Sequence, residues 1–72
     1  MSEIDEVLQT IGVKVAERRK QLNLTQEELA LLSNIDRTYI GYIENGKQNI
    51  TISVLFKLAK ALGVQLNYFY NE

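Results

Sequence analysis

Neither cysteine nor histidine occurs in the 72 residues, which excludes disulfides, thiolate nucleophiles, imidazole bases and zinc sites built on those ligands. Proline is absent too, and with no linker-like stretch and no internal repeat the chain reads as one unit, residues 1–72. Long apolar runs are missing. The stretches are a few residues, such as Ile40 to Ile43, far below the ~18 needed to span a bilayer. The first residues, Met1 to Glu6, are acidic where a signal peptide is basic, so a cytoplasmic location and no membrane partner are expected. A chain of this size buries only about 60% of its unfolded surface, too little to enclose a pocket of roughly 300 Å³. Asp, Glu, Lys, Tyr and hydroxyls are all that remain for chemistry. We therefore expect no enzyme, no cofactor, no metal and no small-molecule ligand.

What is present is ordinary globular material, 46% hydrophobic and 24% charged, which places the chain outside the disordered class. Eight Lys and Arg stand against nine Asp and Glu, for a net charge of -1. That balance argues against a nucleic-acid partner when taken alone. Its distribution is uneven, with Glu3, Asp5 and Glu6 followed by a basic stretch holding Lys14, Arg18, Arg19 and Lys20. Such alternation equally describes a solvated helical surface.

Helical signals run from end to end. Ile4, Leu8, Ile11, Val15, Arg19 and Leu22 recur at spacings of three and four, the stripe of an amphipathic helix beginning between Glu3 and Leu8. Gly12 weakens its early part. Thr25-Gln26-Glu27-Glu28 reads as a capping box opening a short helix through Leu32. After a break at Ser33-Asn34-Ile35, Asp36 is suited to cap a third helix from Arg37 to about Glu44, stopped by Asn45-Gly46. Beyond the polar loop Lys47 to Asn49, Thr51 is expected to cap a fourth helix carrying Ile52, Leu55, Leu58, Ala59 and Leu62, ended by Gly63. Val64 to Tyr70 reads as a fifth, short helix with Leu66 and Phe69 on one face, although its aromatic density also fits a strand.

Between Gln26 and Ile43 the pattern becomes specific. Ala30 stands fifth, Asn34 ninth, Ile40 fifteenth and Ile43 eighteenth. In a helix-turn-helix two short helices cross at ~90–120° through a tight turn. A small Ala permits the close crossing, and Ile40 and Ile43 pack the second helix onto the body. Asn34 occupies the usual place of Gly, and Asn is among the few other residues that tolerate positive φ.

Four blocks in order, Leu24-Thr25-Gln26-Glu27-Glu28-Leu29-Ala30, Ile35-Asp36-Arg37-Thr38-Tyr39-Ile40, Ile43-Glu44-Asn45-Gly46 and Leu58-Ala59-Lys60-Ala61-Leu62-Gly63-Val64, together resemble the Cro/CI-type (XRE) helix-turn-helix family. The resemblance covers roughly residues 11 to 70. It implies an all-α, compact five-helix, lambda-repressor-like DNA-binding domain with the helix-turn-helix at helices 2 and 3 (residues 26–44), residues 1–10 extending helix 1, and a C-terminal dimerisation segment at 64–72. Within the family, Ile35 to Ile40 followed by Gln48-Asn49-Ile50-Thr51 looks most like the controller proteins of restriction–modification systems. Controllers more often have Ser then Gly where this chain has Gly41 and Tyr42, and Arg where it has Gln48, so a different operator is expected.

In this arrangement the helix from Arg37 to Glu44 is the recognition helix, its N-terminal residues meeting base edges in the major groove. Arg37 and Thr38 are the first readers: Arg forms a bidentate pair with guanine O6 and N7, and Thr reads an edge or a thymine methyl. The competing reading of Arg37 is a surface ion pair with Asp36, of little worth. Gly41 lets the backbone approach the DNA, and Tyr42 is positioned for a sugar or a methyl. Tyr39 is a candidate backbone contact, and for both tyrosines plain packing is an equal alternative. Gln26, at the start of the first motif helix, is assigned a phosphate; Asn45, Lys47, Gln48 and Asn49 form a loop that grips the backbone in the resembled family. Arg19 and Glu44 match an interhelical ion pair of the phage repressors and are assigned a structural role. Lys14 and Arg18 read either as phosphate contacts or as a solvated face.

A lone domain neutralises few phosphates, so useful affinity on double-stranded DNA requires two copies. Leu66, Tyr68, Phe69 and Tyr70 place large apolar groups at the C-terminal end, which a two-fold homodimer interface would bury. Core closure by Leu66 or Phe69 is the alternative, and Ile4, Val7 and Leu8 form a second candidate surface. Two recognition helices would then sit about 34 Å apart on a pseudo-palindromic operator. The leading expectation is an autoregulatory repressor or activator. RNA polymerase is a further candidate partner through Glu27 or Glu28, although these also read as helix-start charges. Alternatives are a DNA-binding antitoxin, or a protein-interaction module that has lost DNA binding.

Overall fold

The computed structural model describes residues 2–70. Its elements are α1 (Glu3–Gln21), α2 (Gln26–Ser33), α3 (Arg37–Glu44), α4 (Ile52–Leu62) and a single 3-10 turn at Leu66–Tyr68. No strand occurs among the described residues. Residue 1 of the expected N-terminal extension and residues 71 and 72 of the expected dimerisation segment lie outside them.

Local chemistry sets the helix ends. Thr25 Oγ1 accepts the Glu28 N–H at 3.0 Å while Glu28 Oε1 accepts the Thr25 N–H at 2.8 Å, so two otherwise orphan donors at the start of α2 are satisfied. Ser2 and Asp5 form the same box for α1. Asp36 and Thr51 cap α3 and α4. Between α2 and α3 the chain turns at Asn34, whose φ of 57° is left-handed, as the place of this residue in the motif leads one to expect.

The fifth helix is a correction. Val64 to Tyr70 holds one 3-10 turn, closed by Tyr68 N–H to Gln65 O at 3.0 Å and Phe69 N–H to Leu66 O at 3.3 Å. The segment follows the reversal at Gly63 (φ 69°), and its start at Gln65 carries no side-chain cap. The segment is shaped instead by its anchor, because Phe69 is fully buried.

Ile11 and Val15 from α1, Leu29 from α2, Ile40 and Ile43 from α3, and Leu55, Leu58 and Leu62 from α4 close around Phe69 as one core. The apolar stripe of α1 outruns that core, since Ile4 and Leu22 at its two ends are exposed. Gly12 is where α1 meets the end of α3. A Cβ there would stand 2.9 Å from the Glu44 carbonyl oxygen and nearer still to that of Ile43. Gly12 therefore does more than weaken a helix: it sets the distance at which α3 sits on α1. Gly12→Ala is expected to lower unfolding free energy in urea titration by about 1–3 kcal/mol through overpacking, against the stabilisation of about 1 kcal/mol that Ala brings to an ordinary helix position. An unchanged midpoint would show that the two helices separate at no cost.

Candidate nucleic-acid interface

Asp36 fixes the first turn of α3 by accepting the Thr38 N–H on Oδ2 at 2.9 Å. From that start the helix buries Ile40 and Ile43, which turns the opposite face outward. Residues four apart share a face, so Arg37 and Gly41 lie along one line and Thr38 and Tyr42 along the next. Arg37, Thr38 and Tyr42 are exposed and Gly41 is half-buried. These four expected base readers occupy one outward surface. The competing reading of Arg37, a surface ion pair, finds its carboxylate in α2 rather than at Asp36: the Arg37 Nε lies 3.9 Å from Glu27 Oε1.

Behind this surface Glu44 holds three elements together. Arg19 Nε donates to its Oε2 at 2.7 Å, Arg19 Nη2 to its Oε1 at 3.0 Å, and Gln26 Nε2 to the same Oε1 at 2.9 Å. The remaining Arg19 nitrogen, Nη1, donates to the Leu24 carbonyl at 2.9 Å. Side-chain exposure is 12% for Arg19 and 6% for Glu44, so this is a desolvated fork of charge-assisted bonds rather than a surface pair. The hydrogen bonds that Glu44 accepts raise the Arg19 guanidinium above its ordinary value, against the opposing effect of burial. Gln26 is part of this cluster through one amide N–H, which it gives to Glu44.

The loop after α3 is braced from within. Tyr39 donates its hydroxyl proton to the Asn49 carbonyl at 2.9 Å, and Asn45 Nδ2 donates to the Gly41 carbonyl at 2.9 Å. Both side chains thus shape the loop, and Lys47, Gln48 and Asn49 are exposed along it. Lys14 and Arg18 face the opposite end of the domain. Lys14 Nζ donates to the Tyr68 carbonyl at 3.2 Å and lies 5.6 Å from the Tyr68 ring centroid, while Arg18 Nε donates to the Leu62 carbonyl at 3.0 Å. They fasten the C-terminal segment to α1, and Arg18 satisfies a carbonyl that the end of α4 leaves open.

The four residues expected at a dimer interface separate. Phe69 is core, which removes it from any interface. Tyr68 is half-buried with its ring edge-on to Phe69 at 5.5 Å. Leu66 and Tyr70 are exposed. Sequence reasoning missed Phe56, which is 56% exposed and lines a shallow groove with Ala59, Lys60, Val64 and Leu66. The signal was the unbroken run Val54-Leu55-Phe56, since a helix with one buried stripe has no inward place for all three. No helix of the described residues is long and apolar enough to cross a membrane.

The helix-turn-helix family model HTH_3 matches residues 15–69. Control protein C.SmaI of Serratia marcescens is 39% identical over 61 residues, covering 85% of this chain and 73% of its own. Control protein C.BamHI of Bacillus amyloliquefaciens is 44% identical over 55 residues, covering 75% and 68% respectively. Among solved structures, the restriction-modification controller protein C.AhdI from Aeromonas hydrophila is similar with a TM-score of 0.85 at 36% identity, over 88% of this chain and 96% of that one.

Proposed function

Because the chain belongs to the HTH_3 helix-turn-helix family, we propose that it binds a specific double-stranded DNA operator as a homodimer and regulates transcription, its own included, within a restriction–modification system. The observation that carries this reading is the outward face of α3. Arg37, Thr38, Gly41 and Tyr42 stand on it together, and the Arg19–Glu44 fork holds the helix to the body. Similarity to the control proteins supports the restriction–modification setting. Tyr39, Asn45, Lys47, Gln48 and Asn49 border the readers on one side and Gln26 on the other, the places from which phosphates would be gripped.

The groove of Phe56 and Leu66 supports a second copy. Two exposed apolar side chains on adjoining segments are costly to leave in water, and a two-fold axis through such a patch covers both at once. Dimerisation would also make occupancy depend steeply on protein concentration, which suits a self-limiting circuit.

Selection of binding sites from random duplex DNA at about 0.1 M salt is expected to return a two-fold symmetric consensus with half-sites one helical turn apart. The same selection with Arg37→Ala is expected to lose one guanine per half-site, discrimination worth about 1–3 kcal/mol. An unenriched pool bound equally well by both proteins would overturn the reading.

A further inference from the structure

Arg37 is the principal reader in the function proposed above, and its side chain touches two other residues in a way that function does not use. Its Nε faces Glu27 Oε1 at 3.9 Å across the turn between α2 and α3. Its Nη1 lies against Gly41, so close that a Cβ at position 41 would stand 3.2 Å from it. The guanidinium therefore rests along the outward line of α3, over a position with no side chain. A guanidinium is a rigid fork with donors on a side edge and on its end. Glu27 stands on the side that carries Nε, within ion-pair but not hydrogen-bond distance, and the end-on pair is free for the O6 and N7 of a guanine.

We infer that Glu27 is a positioning residue for base recognition, holding Arg37 over the bare backbone of Gly41 in the pose that reads a guanine. The inference rests on the proposed DNA-binding function and adds to it a residue outside the recognition helix. A free Arg must give up several rotatable bonds when it forms a bidentate pair; a carboxylate already beside Nε removes part of that loss. Glu27 opposes phosphates through its charge; it serves the start of α2 as a first-turn acid, and its reach to Arg37 adds a second role on this face. The pair is solvent-exposed, with Arg37 at 49% and Glu27 at 73%, so it contributes little to folding. That exposure makes the two roles separable.

The test measures dissociation constants by fluorescence anisotropy for the selected operator and for the same duplex with each base pair changed in turn. Wild type, Arg37→Ala, Glu27→Ala and Gly41→Ala are compared. Arg37→Ala identifies the guanine that Arg37 reads as the position where discrimination vanishes. Glu27→Ala is expected to reduce discrimination at that base pair about threefold or more, to leave the other positions unchanged, and to shift the melting temperature by no more than the few degrees that loss of a first-turn acid brings. Gly41→Ala is expected to lose discrimination at the same base pair while the melting temperature holds or rises, since Ala favours helix over Gly. A Glu27→Ala effect equal at every position would be a plain charge effect on phosphates and would overturn the inference while the proposed function stands. Wild type binding every duplex alike would overturn both.

Discussion

Phe69→Ala is expected to remove about 3–5 kcal/mol of folding stability, the usual cost of truncating a fully buried Phe. A 72-residue domain has roughly 4–11 kcal/mol to lose, so the variant should melt well below wild type. The size follows from the position of the ring. Phe69 is completely buried, meets Tyr68 edge-on, and belongs to the same cluster as Val15, Ile40, Leu58 and Leu62. Among the described residues after Gly63, Phe69 alone is buried, so it is the anchor that holds this segment to the core. Phe56→Ala is the counterpart, because that ring is exposed on α4. It should leave monomer stability within about 0.5 kcal/mol and weaken self-association in sedimentation. Urea titration at low protein concentration reads the first effect, and concentration series the second. Equal losses of fold stability from both variants would mean that Phe56 also serves the monomer.

That contrast marks where sequence reading stops. Thr25, Asp36, Thr51 and Gly63 were legible because a cap is a transaction between residues at most a few positions apart, and its partners are written next to each other. α2, α3 and α4 begin and end accordingly. Phe69 and Leu66 were not separable in this way. Both are large, apolar and near the chain end, and only the surface of α1 and α4 decides which turns inward. The fifth helix differs for a related reason: the pattern of Leu66 and Phe69 suits a helix, yet the segment follows its buried anchor and forms a single 3-10 turn.

The candidate site divides along the same line. Spacing along one helix placed Arg37, Thr38, Gly41 and Tyr42 on a common face, and burial of Ile40 and Ile43 turns that face outward. The resemblance led to Arg19 and Glu44 as a pair, but their sharing of Gln26 required three elements to be seen together. Lys14 and Arg18 show the limit most clearly. Both sit in a basic run that reads either as phosphate contacts or as a solvated face, and both are instead turned towards carbonyls of the C-terminal half, 44 or more residues away in sequence. Charge patterning carries no information about which carbonyl is left without a donor.

Glu44→Ala should destabilise the domain by about 3–5 kcal/mol, because removing one partner of a buried pair strands the other. Arg19 would keep only the Leu24 carbonyl for a guanidinium that is 12% exposed, and Gln26 would lose the acceptor of its amide. Arginine does not escape by losing its proton at any ordinary pH, so the loss appears as unfolding or as rearrangement of α1 against α3. The double variant Arg19→Met, Glu44→Leu separates the two causes. With both ions gone the desolvation penalty goes too, and replacements of this kind are often neutral or stabilising. We expect the double variant to recover most of the stability, less the single bond from Arg19 to Leu24, in urea titration. It should nevertheless bind operator DNA more weakly than wild type. The hydrogen-bonded fork fixes the angle of α3 on α1 and draws Gln26 to the rim of the interface, whereas packed apolar chains resist rotation less. Recovery of both stability and affinity would show that packing alone orients the recognition helix, leaving the ion pair dispensable for its placement.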